Sequence, residues 1–182
     1  MSFIKRSLLI GTILFIGVLL FAASRPDTFV IERSIDIQAP PQVIYPLIND
    51  LHNFPLWSPY DNVDPAMRRS FSGAPNGQGA VYAWQGNAQV GSGRLEIIEA
   101  IPYSRVVMTL DYVEPIVAHN MSEFTLQPSG NQTQVTWRMH GPAPFLSKVM
   151  SLFFSIDNTI GPQFELGLAN LRRLTDKQAQ LR

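Results

Sequence analysis

The stretch NDLHNFPLWSPYDNVDP, Asn49 to Pro65, gathers His52 with Asp50, Asp61 and Asp64. A histidine among carboxylates is raw material for general acid–base chemistry or for a metal site. The same stretch carries Phe54, Trp57 and Tyr60 at every third position, around Pro55 and Pro59. Rings so spaced can share one side of a short helical or turn segment, where they would suit the mouth of an apolar pocket. Two chemistries are therefore on offer: proton transfer by the polar residues, or uptake of something greasy by the rings.

Metal ligation finds little support. His52, His119 and His140 are scattered, and none belongs to an H-x-x-x-H or H-E-x-x-H pattern. Carboxylates in a proline-rich loop read as solvated residues or turn caps. With no cysteine, thiolate nucleophiles, disulfides and cysteine metal sites are excluded. There is no G-x-S-x-G elbow, and GAPNGQG (73–79) lacks the lysine and strand-to-helix context of a phosphate loop. No catalytic residue, metal or cofactor is assigned, and the reading leans away from an enzyme.

The chain has 182 residues, 46% of them hydrophobic, which is enough for one domain with a core. Lysine plus arginine balance aspartate plus glutamate at 14 each. Without a net field or a basic stripe, nucleic acid is set aside as a partner. No protein partner can be named.

At the N-terminus, Lys5 and Arg6 precede an uncharged run from Ser7 to Ser24, SLLIGTILFIGVLLFAAS. Eleven of the fourteen residues Leu8–Phe21 are Leu, Ile, Phe or Val. At about −0.3 to −0.6 kcal/mol each on an insertion scale, they sum to roughly −5 kcal/mol. The run predicts a single-pass transmembrane anchor within residues 1–25. A cleaved signal peptide, using the small Ala22 and Ser24, stays open beside it. In both readings the folded part, 29–182, lies outside the cytoplasm of a bacterial cell, facing the periplasm or the exterior.

The remainder reads as one domain. TFVIERSIDI (28–37) places Phe29, Ile31, Ile35 and Ile37 on one face of a strand. A short helix follows in APPQVIYPLIND (39–50). Strands are predicted at 66–73, 79–87, 91–101, 104–114, 118–128 and 132–141, joined by short turns, which implies an antiparallel meander. FLSKVMSLFFSI (145–156) is apolar nearly all round; it is read either as buried or as a lid leaning on the bilayer. Gly161-Pro162 is expected to interrupt it. A helix is predicted from Pro162, with Phe164, Leu168, Leu171 and Leu174 as its stripe and Gly167 marking a close approach.

These stretches, from IERSIDIQAPPQVIYPLIND (31–50) through FTLQPSGNQTQVTWRMHG (124–141) to FELGLANLRRL (164–174), resemble the START-like, helix-grip superfamily, in its polyketide cyclase/dehydrase or SRPBCC branch. The resemblance covers about residues 29–176. It implies an α+β helix-grip fold: a curved seven-stranded antiparallel sheet around a long C-terminal helix, with a hydrophobic cavity between them.

Strand parity nominates the cavity wall, provided no bulge reverses it. Tyr82 and Trp84 share an inward face, as do Val106, Met108, Leu110 and Tyr112. Asn120 and Ser122 travel with Phe124 and Leu126, and Val135, Trp137 and Met139 form a fourth set. With Trp57 and Tyr60 from the opening stretch, the candidate ligand-binding residues are Trp57, Tyr60, Tyr82, Trp84, Met108, Tyr112, Asn120 and Trp137. Such a wall suits a hydrophobic small molecule or lipid oriented by a few hydrogen bonds. The same residues could instead fill a solid core. Three functions stay open: membrane-anchored binding or transfer of a hydrophobe, a polyketide cyclase or dehydratase, and a protein-interaction module without ligand.

Overall fold

The computed structural model describes residues 2–180, and for residues 2–4, 6, 62, 179 and 180 the backbone alone. Met1, the Arg6 side chain and residues 181–182, which belong to the two expected segments, lie outside the described parts. Helix α1 (Ser2–Ala23) leads into β1 (Thr28–Ile37), followed by α2 (Pro41–Asn49) and the one-turn α3 (Phe54–Trp57). Then come β2 (Arg68–Gly73), β3 (Ala80–Gln85), β4 (Ser92–Ile101), β5 (Arg105–Glu114), β6 (Ala118–Ser129) and β7 (Gln132–Pro142). Helices α4 (Phe145–Met150) and α5 (Ile156–Gln180) complete the chain.

The strands form one antiparallel sheet in the order β1-β7-β6-β5-β4-β3-β2. The meander β2 to β7 runs in chain order because short turns can only join neighbours, and β1 closes on β7 after the helical excursion. Burial alternates along β6 and β7, while β5 buries Val106, Val107 and Met108 in succession; Ile97, Met108, Phe124 and Val135 are fully buried. The β4–β5 register shifts twice, at Ile98 of β4 and at Val113 of β5, while the β5–β6 and β6–β7 registers run unbroken. This is the helix-grip architecture that the sequence predicts.

Helix α5 lies across the concave face, with Phe164, Leu168 and Leu171 buried. The Trp137 and Phe164 rings stack at 3.9 Å, 5° from parallel. Gly167 permits this: a Cβ there would stand 2.8 Å from the Trp137 ring and 3.2 Å from Pro59. Gly167→Ala should therefore destabilise by about 1 kcal/mol net, overpacking costing about 1–3 and helix propensity returning at most about 1. A chemical-denaturation curve reads this directly, and a variant more stable than the parent would show that the Trp137 ring gives way.

Two expectations are corrected, and a third is not supported. Pro162 does not start a helix; it sits inside α5, which begins at Ile156. The cause lies on β1. Arg33 donates from Nη1 and Nη2 to Asp157 at 2.9 Å and from Nε to Glu165 at 2.7 Å, bonding the helix on both sides of the proline. Its guanidinium fills the space that a side chain on Gly161 would take. The same hydrogen bonds hold the Asp157 carboxyl below the usual range.

The segment 145–156 is not buried. Leu146, Phe153 and Phe154 are 72%, 69% and 65% exposed. Its single charge, Lys148, is the buried member, and its Nζ donates at 2.5 Å to the exposed Asp27 in the α1–β1 connector. That contact turns the apolar side chains of α4 outward and lowers the Asp27 pKa.

The expected spanning helix is not supported: among the described residues no helix is long and apolar enough to cross a membrane. The described apolar run, Ser7–Ala23, would span about 25 Å, a few Å less than a bilayer core. Its large side chains, from Leu8 through Phe21, are nevertheless mostly exposed, and α1 packs near α4.

Candidate ligand-binding cavity

Between the concave sheet and α5 is a cavity of about 720 Å³, within the range of small-molecule sites. The space is not filled by side chains, because the aromatic cluster that closes its deep end stops short of the strand ends. Trp137 stacks on Phe164 and lies 5.0 Å from Phe124, while Trp57 meets both Phe124 and Trp137 edge-on. The Trp137 indole donates to Ser122 Oγ at 2.9 Å, so that hydroxyl is already engaged.

Seven of the eight candidate residues come together on the wall: Tyr60, Tyr82, Trp84, Met108, Tyr112, Asn120 and Trp137. Tyr82 and Trp84 arrive from β3, Met108 and Tyr112 from β5, Asn120 from β6 and Trp137 from β7. Trp57 is not among the lining residues. It is fully buried behind the wall, its indole donating to the Leu47 carbonyl at 2.9 Å and so tying α3 to α2. The rings of the opening stretch thus divide: Phe54 and Tyr60 line the cavity, and Trp57 packs the core.

Two glycines shape this wall. Gly93 on β4 lies against the Trp84 ring, where a Cβ would approach to 2.7 Å. Gly141 on β7 leaves room for the Asn120 carboxamide, whose Oδ1 occupies the place of a Cβ. The phenols belong to a low-dielectric environment. Burial pushes the Tyr60 hydroxyl well above the ordinary tyrosine value and raises that of Tyr112. Burial, with the nearby Asp61 charge, pushes Tyr82 up to about 12. These hydroxyls stay protonated at neutral pH, suited to hydrogen bonding and poor at proton transfer.

One charged pair escaped sequence reasoning. Asp61, expected to be solvated or a turn cap, is buried and lines the cavity. It accepts from Arg69 Nε at 2.6 Å, and Arg69 Nη1 donates to the Met67 carbonyl at 3.2 Å. Asp61 and Arg69 are eight residues apart across a loop and a strand start, a spacing with no regular period to betray it. The other carboxylates of the stretch do cap turns. Asp50 accepts from the His52 amide, and Asp64 from Ala66 and Asn87. Among the described residues no group of three potential metal ligands is gathered.

Phe54, Trp57 and Tyr60 were the rings expected at the mouth; the β5–β6 hairpin was not. Ile116 and Val117 on the β5–β6 hairpin line the cavity and are also exposed, which marks that strand end as its opening; Pro144 and Ser147 line it as well. At its edge His119 Nδ1 lies 2.8 Å from Asp111 Oδ1, with the ring largely in solvent.

A protein from Chromobacterium violaceum shares the fold with 15% identity and a TM-score of 0.57, covering 83% of this chain and 98% of its own. Ginseng major latex-like protein 151 from Panax ginseng gives 11% identity and a TM-score of 0.57, covering 82% and 99%. DynU16, from the dynemicin biosynthetic locus, gives 16% identity and a TM-score of 0.55, covering 84% of this chain and 48% of its own. At these identities the likeness is one of fold alone. No curated protein is significantly similar in sequence. Residues 28–175, however, match a family model spanning β1 to α5, and by that match the chain belongs to the polyketide cyclase / dehydrase and lipid transport family.

Proposed function

We propose that this protein binds a hydrophobic small molecule or lipid in its cavity, without turnover, while α1 attaches it to a bacterial inner membrane. The observation that carries this reading is the cavity of about 720 Å³, walled by apolar side chains with neutral polar groups at Tyr60, Tyr112 and Asn120. Apolar burial supplies affinity at roughly 25 cal/mol per Å², and the polar set orients one end of the ligand. The charges near the wall are occupied with each other: Asp61 is committed to Arg69.

Attachment through α1 is supported by its apolar surface. A helix lying flat on a membrane needs a polar face. Between Leu8 and Ala23 the residues other than large apolar ones are two glycines, two alanines and Thr12, whose hydroxyl donates to the Leu8 carbonyl. A run a few Å short of the hydrocarbon thickness is accommodated by local thinning, at fractions of a kcal/mol per Å. Lys5 and Arg6 favour a cytoplasmic N-terminus, placing the domain on the opposite side.

A cyclase or dehydratase is the second reading, favoured by one observation, the His119–Asp111 pair at the mouth. Such a pair would have to close over its substrate to exclude water. A His119→Gln change that abolished turnover of a polyketide-like chain, with the fold intact, would establish it.

The binding reading is tested by native mass spectrometry of the full chain extracted in polymer-bounded membrane discs. One co-purified hydrophobe per chain is expected. Ala118→Trp, which places an indole in the cavity near its mouth, should cut occupancy about tenfold or more, since a Trp claims about 150–250 Å² of surface. An unliganded parent, or full occupancy in the variant, would reject it.

A further inference from the structure

We propose that the mouth of the cavity docks on the bilayer that holds α1, so that a membrane lipid passes into the cavity without crossing water. This inference rests on the membrane attachment read above and adds the source and route of the ligand.

Strand register fixes the orientation. Thr28 pairs with Pro142 and Tyr112 with Ala118. The α1–β1 connector, the β5–β6 hairpin and the β7–α4 connector therefore lie at one end of the sheet, the end where the cavity opens. Any membrane that holds α1 faces that opening.

The rim has the chemistry of a bilayer contact. Ile116 and Val117 on the hairpin are exposed and also line the cavity, so their surface is continuous with its interior. The segment from Pro144 to Ile156, which supplies Pro144, Ser147 and Ile156 to the cavity lining, also carries Leu146, Phe153 and Phe154 in the open. Singly exposed apolar residues need no explanation, but a set grouped around one opening does. Between Gly141 and Ile156 the sole charged residue is Lys148, and its pairing with Asp27 removes it from this surface. Glu114 and His119 flank the hairpin tip, where a docked rim would meet headgroups.

A protein could cover the same rim. The bilayer is favoured because α4, which bears part of the rim, packs near α1, whose exposed side chains are apolar nearly all round. One apolar phase serves both surfaces, and burying the rim in it gains roughly 25 cal/mol per Å².

The chain contains no cysteine, so single cysteines can carry nitroxide labels without background. Labels at Leu146 and Phe154, with Ser129 at the opposite end of the sheet as control, are placed in the full chain. The vesicles are of phosphatidylethanolamine and phosphatidylglycerol. The first two labels should be accessible to oxygen and shielded from a water-soluble nickel chelate, and Ser129 the reverse. Equal nickel access at all three sites would overturn docking, and so would shielding of the rim from both reagents, the mark of a protein partner. Leu146→Glu with Phe154→Glu alters no cavity-lining residue. It should slow loading of a pyrene-labelled phosphatidylglycerol from vesicles about tenfold or more, equivalent to about 1.4 kcal/mol in the barrier. An unchanged loading rate would also overturn the proposal. A hydrophobe bound by a protein whose rim stays in water would leave the binding function standing and remove the docking alone.

Discussion

Trp137→Ala is expected to lower the unfolding free energy by about 3–5 kcal/mol, the largest loss from any single truncation in the domain. Trp137 touches three other rings, Trp57, Phe124 and Phe164, which come from α3, β6 and α5. Removing it leaves a void beneath α5 that cannot collapse, because the cavity already stands open beside it. The Ser122 hydroxyl loses its donor as well. Trp137→Phe keeps most of the stacking and loses that hydrogen bond, so about 1–2 kcal/mol is expected. Urea unfolding of both variants separates the contributions. A loss below about 1 kcal/mol for the alanine variant would mean that α5 is held by its ion pairs to Arg33 rather than by the aromatic stack.

Asp61→Ala is expected to cost about 1–3 kcal/mol, because it leaves the Arg69 guanidinium with only carbonyl partners beside an apolar wall. Arg69 retains some solvent contact, which keeps the loss below that of a fully buried pair. Removing both partners, Asp61→Ala with Arg69→Leu, should recover most of it, since the penalty comes from the orphaned charge. The single variant should also change ligand preference. An unopposed cation near the wall favours anionic amphiphiles, so titration with a fatty acid should tighten relative to the corresponding alcohol. Equal stability of the single and double variants, with no shift toward the acid, would count against this account of the pair.

Strand parity was the most legible feature. Tyr82, Met108, Asn120 and Trp137 could be assigned to one interior surface because a two-residue period leaves only two faces, and the irregularities, at Ile98 of β4 and at Val113 near the end of β5, fall clear of these four residues. Trp57 and Tyr60 could not be separated in the same way. Their three-residue spacing lies in a stretch of short turns, where small changes in winding decide which ring meets the core. Pro162 was read as a break because propensity is a local quantity. What carries α5 through it is an arginine more than a hundred residues earlier in the chain. The Asp61–Arg69 pair and the rim around Ile116 were illegible for a related reason: loops have no period, and their neighbours are chosen by the finished fold.

The connector between α1 and β1 is four residues, Ser24–Asp27, and Lys148 grips its last one. Even fully stretched, four residues reach only about 14 Å. A domain leashed this tightly has no radius in which to roam. With α1 held in a membrane as proposed above, it could not ferry a ligand across an envelope compartment, and whatever takes the ligand onward would have to come to it.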